Sequence, residues 1–181
     1  MQEAVEMPAA EASPISDARL QQAYDYWRRK SADQAMPRRA DIDPTEIPRL
    51  LPYVLLVDVL ESGRYRYRLI GTENANAHGF DATGRYLDEV LPGPEYKAHV
   101  LGLYDTCVRE RRPVYSESLF FPPGYTVAER HTKVLFMPLT REGMTVSDVF
   151  VLQVFLYINW NTRNRHFVES RPYKEIVHEL L

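Results

Sequence analysis

One cysteine, Cys107, stands in a chain of 181 residues. A lone thiol excludes an internal disulfide framework and any zinc site built on several cysteines. Glycine is scarce at eight residues, and neither GxGxxG nor a phosphate-cradling loop is present. No apolar stretch reaches the ~18 residues of a membrane span. The longest run, residues 149–158, is interrupted by Gln153. Residues 1–14 are acidic and rich in alanine and proline, with neither the basic nor the apolar part of a targeting signal. The expectations are a cytoplasmic location, by default that of a bacterial cell, and no membrane partner. Charge of one sign is missing too. Lys and Arg number 22 against 25 Asp and Glu, a net charge of −3, which argues against a general nucleic-acid binder.

What is present is ordinary globular material, 45% hydrophobic and 26% charged. A chain of this length holds one domain with an extension and buries about 70% of its unfolded surface, so it folds without a staple. Residues 1–15 read as a disordered leader. Ser16 or Asp17 caps a helix whose apolar stripe is Leu20, Ala23, Tyr24 and Trp27, spaced i, i+3, i+4, i+7. That helix fades before Pro37. Asp43-Pro44-Thr45-Glu46 combines a cap, a proline at the first helical position and an early acid, and predicts a short helix ending near Leu51.

Residues 53–60 are apolar on both faces and predict a central strand. Ser62-Gly63 turns the chain into residues 65–70, whose Tyr/Arg alternation predicts an edge strand with one wet face. Short helices are expected near 72–77 and 87–90, and a longer one from Pro94 to about Arg111 with the stripe Tyr96, Val100, Leu103, Tyr104 and Cys107. Strands follow at 114–121, 132–139 and 149–158, with turns at Pro122-Pro123-Gly124 and Glu142-Gly143. Residues 171–181 read as a short helix or an extended arm. The two doubly apolar strands, first and last, belong side by side at the centre. The fold class is therefore α+β: a five-stranded antiparallel sheet in the order 2-1-5-4-3, with central helices and an N-terminal helix.

Several segments carry a resemblance: Tyr26-Trp27; Pro37-Arg38 leading to Asp41-Ile42-Asp43-Pro44; Ile47-Pro48 with Leu50-Leu51-Pro52; Arg66-Tyr67-Arg68-Leu69-Ile70-Gly71-Thr72; and Asp81-Ala82-Thr83-Gly84-Arg85. In this order and spacing they resemble the PAS domain, and within it a bacterial family of stand-alone PAS-like proteins. The resemblance covers roughly residues 20–158 and rests on scaffold features. It implies a PAS-like domain at 53–160, preceded by a helical extension at 16–52 and followed by a tail at 161–181. It also implies a sensory, ligand-binding or protein-interaction module. With no room for an output domain beyond the sheet, signalling is expected through a partner or through self-association.

No catalytic or cofactor motif stands out. The five histidines, His78, His99, His131, His166 and His178, include no HxxxH or HExxH pair, so no metal site is expected. Asp41 and Asp43 are carboxylates in proximity, with helix capping the commoner role for Asp43. Residues 79–86 end in Arg85-Tyr86, where a P-loop requires Lys-Ser/Thr. Haem-binding PAS sensors ligate iron from the long helix before the third strand. His99 falls on the corresponding helix and His78 precedes it, so the resemblance leaves haem ligation by either one open. Flavin photosensors of the fold carry Asn-Cys-Arg-Phe-Leu-Gln, which Asp105-Thr106-Cys107-Val108-Arg109 does not match. No cofactor is thereby named. Asp58 interrupts an apolar strand. It is the carboxylate on which the competing reading, a small α+β lyase- or isomerase-type pocket enzyme, would rest. The bland alternative is a salt bridge to an arginine. Arg64, Arg66 and Arg68 are expected on one solvated face.

Two structural expectations follow. A ligand pocket between the sheet and the central helices is approached by Tyr67, Leu69, His78, Tyr104 and Cys107, an apolar setting with a few polar handles. The last strand has a second apolar face that the central helices cannot reach. The stripe of the N-terminal helix is the candidate cover, from the same chain or from a second subunit, and because a narrow stripe covers little, a homodimer is expected in which the helix and this face meet across a two-fold axis.

Overall fold

Asp17 starts the first helix. Its carboxylate accepts from the Arg19 backbone N–H at 2.9 Å and pairs with the Arg19 guanidinium at 2.8 Å. Beyond it α1 (Ala18–Ser31) buries Leu20, Ala23, Tyr26 and Trp27. Tyr26 takes the place in the stripe expected of Tyr24, which stays half-buried and stacks beside Trp27. The reason is a tether: the Tyr26 hydroxyl accepts from the Asp43 N–H at 2.8 Å and donates to the Asp43 carbonyl.

The computed structural model describes residues 14–120, 128–159 and 173–181. The leader up to residue 13, the Pro122-Pro123-Gly124 turn, residues 160–172 and His166 lie outside the described residues. The helix expected after Asp43 is two separate 3-10 turns, Pro44–Glu46 and Leu51–Tyr53. Pro48 and Pro52 lack the N–H groups that a continuous helix needs.

Six strands form one antiparallel sheet: β1 (Val54–Val59), β2 (Tyr65–Ile70), β3 (Val114–Phe120), β4 (Ala128–Leu139), β5 (Asp148–Asn159) and β6 (Tyr173–Leu180). Their order is β2-β1-β5-β4-β3-β6. The expected order 2-1-5-4-3 holds, β1 and β5 pair antiparallel, and the chain's last residues add a sixth strand on β3. α2 (Thr72–His78), α3 (Leu87–Val90) and α4 (Pro94–Glu110) lie between β2 and β3 in the chain. Gly71, at the junction of β2 and α2, allows the closest backbone approach. A Cβ there would stand 2.4 Å from the carbonyl oxygens of Leu51 and Pro52. No helix among the described residues is long and apolar enough to cross a membrane.

The register assigns the two faces of the sheet. Val151 and Gln153 point to the side of the central helices, so Phe150, Leu152 and Val154 point to the other, outer face. α1 lies against that outer face. Ser16, just before it, bonds Tyr115 and Lys133, which are outer-face residues of β3 and β4. Trp27 donates its indole N–H to the Pro138 carbonyl at 2.9 Å. Met36, Ile42, Ile47 and Leu50 of the segment after α1 join the same core. Phe150, Leu152, Val154, Leu135 and Met137 are all buried within one chain. α1 and its following segment thus supply much of that cover in cis, while Leu156 of the same face stays 36% exposed.

Candidate functional site: a cavity on the inner face

A cavity lies between the inner sheet face and the central helices. Its sheet wall is Leu55, Tyr67, Ser116, Ser118, Thr132, Val134, Phe136, Val151 and Gln153; its helix wall is His78, Leu91, Tyr96, His99, Val100, Leu103 and Tyr104. The concavity with its open mouth measures about 470 Å³, but the space where a water's centre fits is only about 30 Å³, enough for about two waters. A smaller hollow beside it shares Tyr67, His78 and Leu91 and opens past Phe80.

The sheet wall is polar where an inner face is ordinarily apolar. Ser118 sits directly opposite Thr132, and Gln153 opposite Val134, one register step away. Ser116, Ser118, Thr132 and Gln153 are all buried. The Thr132 hydroxyl has no hydrogen-bond partner among the described residues, although the residue is only 1% exposed. Such an orphan costs about 1–3 kcal/mol unless something fills its valence. Among the described residues, none that lines the cavity is Asp, Glu, Lys or Arg.

Aromatic packing fixes the far wall. Tyr104 meets Phe136 edge-on with ring centroids 4.9 Å apart, and Tyr65 at 5.1 Å. The Tyr65 hydroxyl donates to Asp105 at 2.6 Å and ties α4 to the sheet. Burial pushes the Tyr67 and Tyr104 hydroxyls and the Cys107 thiol well above their ordinary pKa values, so all three stay neutral at physiological pH. At the rim, His78 ends α2 and meets Phe155 edge-on at 5.9 Å. Gly79, in the left-handed conformation at φ 82°, closes the helix behind it.

Of the five residues expected at the pocket, Tyr67, His78 and Tyr104 border the cavity. Cys107 does not. It lies one turn farther along α4 and is buried in the core beyond the cavity's end. Leu69 is on the wrong face and 46% exposed. A bulge explains it: Val57 pairs with Tyr67 but Leu56 pairs with Leu69, so Arg68 is an extra residue and every side chain after it flips. Alternation in the sequence carries no sign of this insertion. His99 also borders the cavity. As it stands, the space does not house a macrocycle the size of haem. Ser116, Ser118, Thr132 and Gln153 were not anticipated. Gln153 was noticed only as a break in an apolar run, and that break was the available signal.

Asp58 is not a pocket acid. It points to the outer face, where both its oxygens are engaged by Arg66 at 2.8 Å and Arg141 at 3.1 Å, and Arg141 also reaches the buried Asp148 at 3.0 Å. The cause is register, since Asp58 faces Arg66 on one side and Asp148 on the other. The three arginines near β2 do not form one free face either: Arg64 pairs with Asp88 and Glu89 and lies 3.6 Å over the Tyr86 ring. Among the described residues no three His, Cys, Asp or Glu side chains gather as metal ligands.

An antiparallel sheet, one face covered in large part by an N-terminal helix and the other bordering a polar-walled cavity under the central helices, defines an α+β domain with a small internal space. The family is explicit: the model of the PAS domain matches residues 15–152, from just before α1 into β5, and the chain belongs to that family. Comparison with curated proteins gives no match.

Proposed function

We propose that this chain is a sensory module that binds a small molecule in the inner cavity and passes the event on through its outer face to a protein partner or a second copy of itself. PAS domains serve as sensory, ligand-binding or interaction modules, and that general role is this family's. The observation that carries the finer reading is the buried polar wall of Ser116, Ser118, Thr132 and Gln153 beside the cavity, in which the Thr132 hydroxyl has no partner among the described residues. A fold that needed only stability would place apolar side chains there.

The reading is of a binding domain and not an enzyme. The acid that a pocket enzyme would have used, Asp58, is held in ion pairs on the outer face, and the one thiol is buried and held protonated. The route of the signal follows from a sheet one layer thick. β4 and β5 present Thr132 and Gln153 inward and support α1 outward, with Trp27 bonded to the β4 backbone at Pro138. A ligand that favours one arrangement of the inner wall shifts the population of α1 positions by its differential affinity.

Native mass spectrometry of the full chain purified from cells tests binding, and hydrogen exchange of α1 before and after ligand removal tests transmission. The expected result is a retained small molecule and altered protection of residues 18–31. A chain that carries no small molecule, acquires none from a metabolite extract, and keeps identical protection in α1 overturns the sensory reading.

A further inference from the structure

We infer that α4 carries a self-association surface, on which a second copy of this chain lays its own α4 antiparallel across a two-fold axis. The surface goes beyond the reading above: it lies on the side of the sheet opposite α1 and holds whether or not the cavity takes a ligand. Exposure comes first. α4 turns Tyr96, Leu103, Tyr104 and Cys107 into the core. The 3.6-residue period then sends Pro94, Ala98, Leu101, Gly102, Asp105 and Arg109 to the other side. Pro94, Ala98, Asp105 and Arg109 are exposed, and Leu101 and Gly102 are half-buried. Leu101 stands between two surface hollows, one toward Pro94 and Ala98 and the other toward Tyr65 and Asp105, so this face is grooved on both sides of its midpoint. Glycine weakens a helix interior relative to alanine. A Cβ at Gly102 would meet nothing within 4 Å, so packing within the chain gives no reason for it. The approach of a second helix does, because the side chains at the crossing set how near two axes come.

Charge selects the occupant. Along α4 the charged positions run Glu95, Lys97, Asp105, Arg109, an acid and a base followed by an acid and a base. About a point between Leu101 and Gly102 that order is antisymmetric. A second α4 running the opposite way sets Glu95 near the partner's Arg109 and Lys97 near the partner's Asp105, and the two-fold axis repeats both pairs. A parallel pair in register would set like charges together, so the same residues reject that arrangement. Among the described residues Glu95, Lys97 and Asp105 make no salt bridge, and Arg109 pairs with its chain neighbour Glu110 at 2.8 Å. Lys97 donates to the Asp88 carbonyl and Asp105 accepts from the Tyr65 hydroxyl, contacts that hold both side chains at the rim of the surface. Length sets the strength. α4 has 17 residues, and one helix pair of that size buries less than the ~1,200 Å² at which standard interfaces begin. The dimer is therefore a transient one that grows with concentration.

Sedimentation velocity of the full chain, from low micromolar to submillimolar concentration, tests the inference. The expected result is a reversible rise in mass from 21.1 kDa toward twice that value. Dissociation constants should weaken about tenfold or more in Gly102→Leu and in Arg109→Glu, and recover in the double variant Glu95→Arg with Arg109→Glu. Gly102→Leu places a better helix former in open space, so its unfolding midpoint should be at or above that of the parent chain, which shows that its loss of dimer is not misfolding. A chain that stays monomeric over the whole range overturns the inference. A dimer that neither single variant weakens overturns the assignment to α4, and a double variant that does not recover overturns the antiparallel register. None of these outcomes bears on the sensory reading, which the retained small molecule tests separately.

Discussion

The two faces of this sheet are made from the same strands and differ in what they sacrifice. On the outer face Leu135, Met137, Phe150, Leu152 and Val154 are buried under α1 and its following segment, and the polar contacts there sit at the margins and are paired. On the inner face the neighbouring positions carry Ser116, Ser118, Thr132 and Gln153 around a space that the chain leaves open. Leu152 and Gln153 are consecutive residues and belong to opposite regimes. The outer face is packed for stability, while the inner face leaves buried polar groups beside an open space.

That contrast makes predictions of opposite sign. The largest effect is expected at the outer cover. Trp27→Ala removes a buried ring and its hydrogen bond to Pro138 and should cost about 3–5 kcal/mol, read from urea unfolding midpoints. A loss below ~1 kcal/mol would mean that α1 is not the true cover. Leu152→Ala should cost about 2–5 kcal/mol by the same measurement, because a cavity opens under a fully enclosed side chain.

On the inner face the sign reverses. Thr132→Val replaces an unpartnered buried hydroxyl with a methyl group of similar size and should raise stability by about 1 kcal/mol in the ligand-free chain. A destabilisation as large as that of Leu152→Ala would erase the distinction between the faces.

The smallest effect concerns pH at the outer margin. Burial pushes Glu117 upward, but the Tyr115 hydroxyl, Lys133 and His131 outweigh it and hold its carboxyl below the ordinary value of 4.5. A carboxyl depressed in the folded state stabilises above its unfolded pKa, and the contribution fades as pH falls through the lower folded value. Unfolding midpoints measured from pH ~6 down to ~3 should therefore fall less steeply in Glu117→Gln than in the parent chain. An unchanged acid limb would remove Glu117 from the account of that margin.

Much of the scaffold was legible because it depends on local periodicity. Doubly apolar runs at β1 and β5 require two covered faces, and only neighbouring central strands have them, so the strand order followed. Asp17 as a cap and the stripe of α1 were readable for the same reason. The site was less legible. Tyr67, His78 and Tyr104 could be placed because their spacing within one element set their direction. Ser116, Ser118 and Thr132 are unremarkable in their own strands. They become a polar wall only when β3, β4 and β5 align them across the sheet.

By itself, then, the sequence determined the elements, their amphipathic faces and the pairing that buries them, since these depend on intervals of a few residues. Tertiary structure decided what depends on partners far along the chain. The extra residue at Arg68 sends Leu69 outward because β2 slips against β1, and no alternation pattern records a slip between two strands. Asp58 became half of an ion-pair network because Arg141, 83 residues away, comes within 3.1 Å of it. Much of the outer face is covered within one chain because Tyr26 and Trp27 fasten α1 to Asp43 and Pro138, contacts whose free energy exists only once the sheet beneath them has formed.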